Sequence, residues 1–239
     1  PFIWNLHAII IQDVDLLDLI FPKKCFGCGA EGRYFCPLCQ EKLKIANPIC
    51  PVCSRPSNKG LTHPGCRYEL SPDGLTSIWE YQGGIRKAIL ALKYKFAYEV
   101  SQEIAELVVE KLKKRKVFTP ARPILIPVPL HHQRQNWRGF NQMEEIGKRV
   151  ALKMRWEFIP DLIVRKKTSL PQTELKRRER VENVKGVFLI NKKYLPLKTK
   201  PFLLFDDVWT TGSTIKEATK ILKKAGAKEV WGLTISKGH

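Results

Sequence analysis

No apolar run in this 239-residue sequence approaches the length that spans a bilayer, so membrane insertion is not expected. There is no GxxxxGK[ST] either, which excludes a P-loop nucleotide site. Acidic residues are scarce: 23 Asp and Glu stand against 42 Lys and Arg, for a net charge of +19. Thermophile surfaces enrich glutamate alongside lysine, so this imbalance points instead to an anionic partner. Nucleic acid fits best, and phosphorylated small molecules account for only part of it. The opening residues, 1–21, lack a basic n-region and a small-residue cleavage site and carry Asp13, Asp15 and Asp18. They read as an amphipathic helix packing on the body rather than as a leader.

Cysteine is absent outside residues 25–66, and within them it comes in pairs: CFGC, CPLC, CPVC and then HPGC. His63 stands where the first sulfur of the fourth pair would be. Cys25, Cys28, Cys36 and Cys39 are one candidate zinc set; Cys50, Cys53, His63 and Cys66 are a second. Sequential pairing is the simpler arrangement, and a cross-braced one (first pair with third, second with fourth) uses the same ligands. An odd cysteine count and CxxC spacing argue against disulfides. One or two structural zinc ions would fold a segment too poor in apolar residues to fold by itself. Gly27, Gly29 and Gly32 satisfy GxGxxG, but no strand precedes them, so a dinucleotide site is discarded.

From residue 72 onward strands and helices alternate, which predicts a mostly parallel sheet with helices on both faces. LTSIWEY reads as a strand, followed by helices near 85–95 and 98–114. The basic run at the end of the second helix is either a solvated face or a nucleic-acid contact. PILIPVPL is a buried strand that runs into HHQRQNWRGFNQ. There Arg134 and Arg138 flank Trp137, two guanidinium forks suited to pyrophosphate and a ring that is either core or a stacking surface for a base. His131 and His132 are the nearest candidates for a general base, and no convincing one is present. A strand is expected at 159–164. The polar, basic stretch after it, with Lys166, Lys167, Arg177 and Arg178, reads as a lid or binding loop, or else as a solvated excursion.

The most informative stretch is residues 201–214, PFLLFDDVWTTGST. The apolar run 202–205 suits a strand buried on both faces. Asp206 and Asp207 follow, and the chain turns through Thr210, Thr211 and Gly212 into a helix that starts near Ser213 and Thr214. Unpaired amides at a helix start, hydroxyls and a close-approach glycine make an anion cradle. Two carboxylates beside a phosphate need a donor between them, either a ribose diol or magnesium.

Four segments together resemble the competence protein F (ComF) family, a branch of the phosphoribosyltransferase-like proteins. They are LLDLIFPKKCFGC…CPLC, IPVPLHHQRQNWRGFNQ, RKKTSLPQTELKRRERVENVKGVF and LLFDDVWTTGSTIKEA, in the family's order over nearly the whole chain. His63 departs from the cysteine expected at its position. The resemblance implies a type I phosphoribosyltransferase-like α/β fold behind a small zinc-ribbon-like region. It implies a pocket for phosphoribosyl pyrophosphate with magnesium at Asp206, Asp207, Thr210, Thr211, Gly212, Ser213 and Thr214. It also implies a cytoplasmic role in handling single-stranded DNA during natural transformation, with proteins of the DNA-uptake machinery as possible partners. An active, amidophosphoribosyltransferase-like transferase acting on a small nucleophile is the alternative. The expected division is an N-terminal helix at 1–21, a zinc-binding region at 22–71 and the phosphoribosyltransferase-like domain at 72–239.

Overall fold

The computed structural model describes residues 22–92, 97–114, 117–129, 141–166 and 186–238. Five strands form one sheet: β1 (Gly74–Glu80), β2 (Ile124–Pro127), β3 (Glu157–Phe158), β6 (Phe202–Trp209) and β7 (Val230–Lys237). Their order is β1-β7-β6-β2-β3, and every neighbouring pair is parallel. Crossovers through helices are what a parallel sheet demands. The centre of the sheet is β6, flanked by β7 and β2.

The run 202–205 shows why the strand has no polar residue there. Side chains alternate between faces along a strand. Leu203 and Phe205 enter one core with α2 (Gly83–Ala91), α3 (Ala97–Lys113) and α4 (Gln142–Met154). Phe202 and Leu204 enter a second core with α5 (Ser213–Lys224) on the opposite face. Both faces are therefore covered, and each side chain of the run is almost fully buried.

Two sequence expectations need correction. The strand expected at 159–164 forms only at its end, as β4 (Ile163–Arg165), which stays out of the main sheet, whereas β3 just ahead of it joins that sheet. Pro160 and Asp161 interrupt the expected strand: proline offers no amide, and the Asp161 carboxylate accepts from Asn191, Lys193 and the Tyr194 hydroxyl. β4 pairs antiparallel with β5 (Phe188–Ile190), so these two form a separate ribbon beside α5. The second difference lies in β6, which continues past the acids to Trp209 because Val208 and Trp209 still pair with Ser236 and Lys237 of β7.

The N-terminal region has little regular structure beyond a short helix, α1 (Pro37–Glu41). It is tied down by backbone bonds. Ala46 donates to the Ile78 carbonyl and Lys44 accepts from Glu80, so the chain leaving the first cysteine group covers the open edge of β1. Among the described residues no helix is long and apolar enough to cross a membrane.

Candidate functional site

The eight metal-ligand candidates converge into two separate groups. Cys25, Cys28, Cys36 and Cys39 form one and Cys50, Cys53, His63 and Cys66 the other, with the donor atoms of each group all within 4.8 Å of one another. The pairing is sequential, not cross-braced. All seven cysteines are free thiols. The Cys28 and Cys36 sulfurs lie 3.7 Å apart, close to the edge of a tetrahedron with zinc–sulfur bonds of about 2.3 Å. Gly27 sits inside this group, where a methyl would land 2.5 Å from the Cys39 sulfur.

Local amides prepare one sulfur of each group for a cation, while contact with the neighbouring thiols pushes Cys39 up to about 12 and Cys66 up to about 11. Burial opposes ionisation of Cys25, but backbone amides of Cys36, Cys28 and Gly27 donate to its sulfur and lower the thiol to about 6. Burial likewise opposes ionisation of Cys50, and amides of Cys53, His63 and Val52 bring it down to about 7. Thiolates formed at neutral pH bind metal with little competition from protons. In the second group His63 Nδ1 stands 3.4 Å from the Cys53 sulfur, while its Nε2 lies 3.1 Å from the Pro56 carbonyl. A carbonyl only accepts, so Nε2 carries the proton and Nδ1 keeps its lone pair for the metal. Both donor sets fit zinc.

At the carboxyl end of β6 the acid pair meets the loop. The Asp206 side chain accepts from the Asp207 amide at 2.9 Å, and the Asp207 side chain from the Val208 amide at 2.7 Å. Enclosure, and then the neighbouring Asp207 charge, push the Asp206 carboxyl well above the usual carboxylate range. Such a site gains from a cation or hydroxyl donors. Beyond it, Gly212 takes a left-handed φ of 71° directly over Trp209, where a methyl would lie 2.1 Å from the ring. Only glycine fits both the conformation and the contact. Trp209 is buried and forms the floor of the loop.

Along the loop Thr210 is exposed, Thr211, Ser213 and Thr214 are half-buried, and Gly212 is buried. The Thr211 hydroxyl donates to Ser213 Oγ at 3.1 Å, and the Ser213 amide reaches the Thr211 hydroxyl at 3.3 Å. The amides of Thr210, Thr211, Gly212 and Thr214 have no hydrogen-bond acceptor among the described residues. α5 begins at Ser213, so its positive dipole end adds to them. The arrangement suits a phosphate on the amides with a hydroxylated or metal-bound group reaching the acids.

Sequence reasoning missed Lys216. Its ammonium donates to the Thr211 carbonyl at 3.3 Å and lies 5.6 Å from the centre of the Trp209 ring. A lysine in the first turn of the helix after the hydroxyl-rich bend was the available signal. Of the basic candidates, Lys166 is exposed at the end of β4, its amide bonded to the Val187 carbonyl at 2.8 Å. Arg134, Trp137, Arg138, Lys167, Arg177 and Arg178 lie outside the described residues, as do His131 and His132.

The two parts of the chain together define a class, an α/β protein with a parallel five-stranded sheet and an N-terminal region of two zinc-type donor groups. Residues 16–67 match the family model described as a double zinc ribbon domain. Competence protein F of Haemophilus influenzae is 32% identical over 228 residues, 89% of this chain and 97% of that protein. The DNA utilization protein YhgH of Escherichia coli is 27% identical over 226 residues, covering 90% of this chain and 98% of its own length. Among solved structures, the adenine phosphoribosyltransferase of Saccharomyces cerevisiae is similar over 61% of this chain and 71% of its own, at 16% identity and a TM-score of 0.34. The chain belongs to the competence protein F family.

Proposed function

We propose that this protein binds phosphoribosyl pyrophosphate with magnesium at the end of β6, and that it binds single-stranded DNA during DNA uptake. The observation that carries the first part is the loop over Trp209, whose amides have no acceptor among the described residues, with an acid pair just before it on the same strand. The 5′-phosphate sits on the amides and hydroxyls of residues 210–214, and Asp206 and Asp207 accept from the ribose hydroxyls. Magnesium, when bound, neutralises pyrophosphate. Arg134 and Arg138 are assigned to the pyrophosphate on charge alone.

The names of the relatives, competence protein F and DNA utilization protein, support the second part, as does the net charge of +19. Lys166, Lys167, Arg177, Arg178 and the Arg134–Trp137–Arg138 group are the candidate contacts, with Trp137 as a stacking surface. DNA-uptake proteins are its expected partners, and the cytoplasm its expected compartment. Transfer of the phosphoribosyl group to a small nucleophile is the second reading. The intact acid pair and loop favour it, and no described residue at the site supplies a general base.

Calorimetry with phosphoribosyl pyrophosphate and magnesium tests the pocket. The wild type binds, and Asp207→Ala loses about ten- to a hundredfold in affinity, the cost of a hydrogen bond to a charged acceptor. Equal affinity in the two proteins excludes this pocket. Single-stranded DNA binding weakens steeply as salt rises; no binding at low salt removes the DNA reading.

A further inference from the structure

The second cysteine–histidine group and the loop lie on the same side of the sheet. Ile49, next to Cys50, packs on the core group that contains Trp209, Ile215 and Leu222. Lys216 belongs to α5, the helix that packs on this same core. It is half-buried in the first turn of α5, and its ammonium touches the Thr211 carbonyl and the Trp209 ring. Burial lowers its basicity, and the charges of Cys50 and Cys53 oppose that lowering. The sulfurs of the second group are therefore within electrostatic reach of this one lysine.

The contact with Thr211 has a geometric consequence. In a trans peptide the carbonyl and the following amide point in opposite directions. Drawing the Thr211 carbonyl toward Lys216 turns the Gly212 N–H the other way, and that amide is one with no acceptor among the described residues. The same lysine bonds its own amide to the Gly212 carbonyl at 2.9 Å, which closes the first turn of the helix. Lys216 thus fixes both peptide units around Gly212. With zinc bound, three thiolates and a neutral imidazole leave the centre with one net negative charge, the complement of one ammonium.

We propose that Lys216 is a positioning residue for the anion loop, and that metal at Cys50, Cys53, His63 and Cys66 holds Lys216 in place and so sets the loop's rigidity. The first cysteine group takes no part. For ligand affinity this rests on the reading of residues 210–214 as a phosphate site; for loop rigidity it does not. The coupling is reciprocal, since a centre that tightens the loop is itself tightened by what the loop binds.

Amide hydrogen exchange of the zinc-loaded full chain, read on the peptide covering residues 210–216, tests it. In Lys216→Met, with both zinc ions retained, exchange there rises about fivefold or more, and Lys216→Arg restores most of the protection. Cys66→Ser, which opens only the second centre, gives the same rise and leaves the α3 peptide at the wild-type rate. The double variant exchanges no faster than Cys66→Ser alone. An unchanged rate in Lys216→Met overturns the proposal, as do an unchanged rate in Cys66→Ser and additive effects in the double variant. If Cys66→Ser does not fold, the Met and Arg variants decide by themselves. Titration with phosphoribosyl pyrophosphate and magnesium is the second arm. If the wild type binds none, the assigned ligand falls while the exchange result still stands; if it binds, Lys216→Met loses about fivefold or more in affinity, and equal affinity overturns the proposal.

Discussion

The two cysteine-rich groups share a spacing and a backbone strategy, but they are attached to different parts of the molecule. The first is clamped to α3: the Glu103 carboxylate accepts the amides of Tyr34 at 2.9 Å and Phe35 at 2.6 Å, and the Tyr34 hydroxyl reaches Glu99. It borders a groove of 380 Å³ lined by Glu99, Glu103, Glu106 and Glu110 together with Lys23 and Arg33, with Lys23 paired to Glu99 at 3.4 Å. The second is sewn to the start of β1, where the Thr62 amide donates to the Asp73 carbonyl at 3.0 Å, and to the face of the sheet that carries α5. One group anchors α3 on one face of the sheet, and the other packs through Ile49 on the core that carries α5 on the opposite face. A repeated structural unit has thus acquired two distinct neighbourhoods through its docking contacts, not through its ligands.

The comparison breaks most visibly when the metal is removed from one group at a time. Structural zinc contributes about 10 kcal/mol or more to the folding of small metal-bound units. Cys36→Ser is expected to lower the zinc content from two per chain to one and to unfold the first group, while β6 and β7 keep their protection in hydrogen exchange. A collapse of the whole sheet would mean that the groups are not separable. The next effect in size concerns the clamp. Glu103→Ala leaves two partly buried amides without their charged acceptor and costs about 2–3 kcal/mol in denaturant unfolding. A loss below about 0.5 kcal/mol would show that Glu103 holds nothing.

A smaller effect depends on pH. The folded protein holds the Asp206 carboxyl above its ordinary value, so it binds a proton that the unfolded chain releases from about pH 4 upward. Stability from this group is present below the unfolded value and is lost as pH rises through the raised one. Asp206→Asn removes that loss. The variant is expected to unfold later than the wild type, by a margin that grows as pH rises from about 4; parallel curves would contradict the assignment. The smallest change is expected from His63→Cys, which exchanges one zinc ligand for another. Two zinc ions are retained and stability shifts by less than about 1 kcal/mol.

Much of this organisation is legible from local chemistry. The continuous run before Asp206 announces a strand buried on both faces, and CxxC spacing announces metal before any fold is known. The bend at Thr210–Thr214 stands out because glycine and hydroxyls precede a helical repeat. What local reading misses depends on distant neighbours. Val208 and Trp209 look like loop until β7 supplies their pairing, and Pro160 hides a change of sheet inside one apolar stretch. Glu103 meets Tyr34 and Phe35 across more than sixty residues of sequence, as a helix position that reads as solvated. Lys216 reads as the polar face of an amphipathic helix, and only the fold brings it under the Thr211 carbonyl.

The central claim is that the amides around Gly212 are left open for a phosphate. Nuclear magnetic resonance of the labelled full chain, titrated with phosphoribosyl pyrophosphate and magnesium, addresses those amides one by one. The account predicts large, saturable shifts at Thr211, Gly212 and Thr214, and their loss in Asp207→Ala at the same ligand concentration. Amides that stay unmoved while signals elsewhere respond, or no response anywhere, would contradict it.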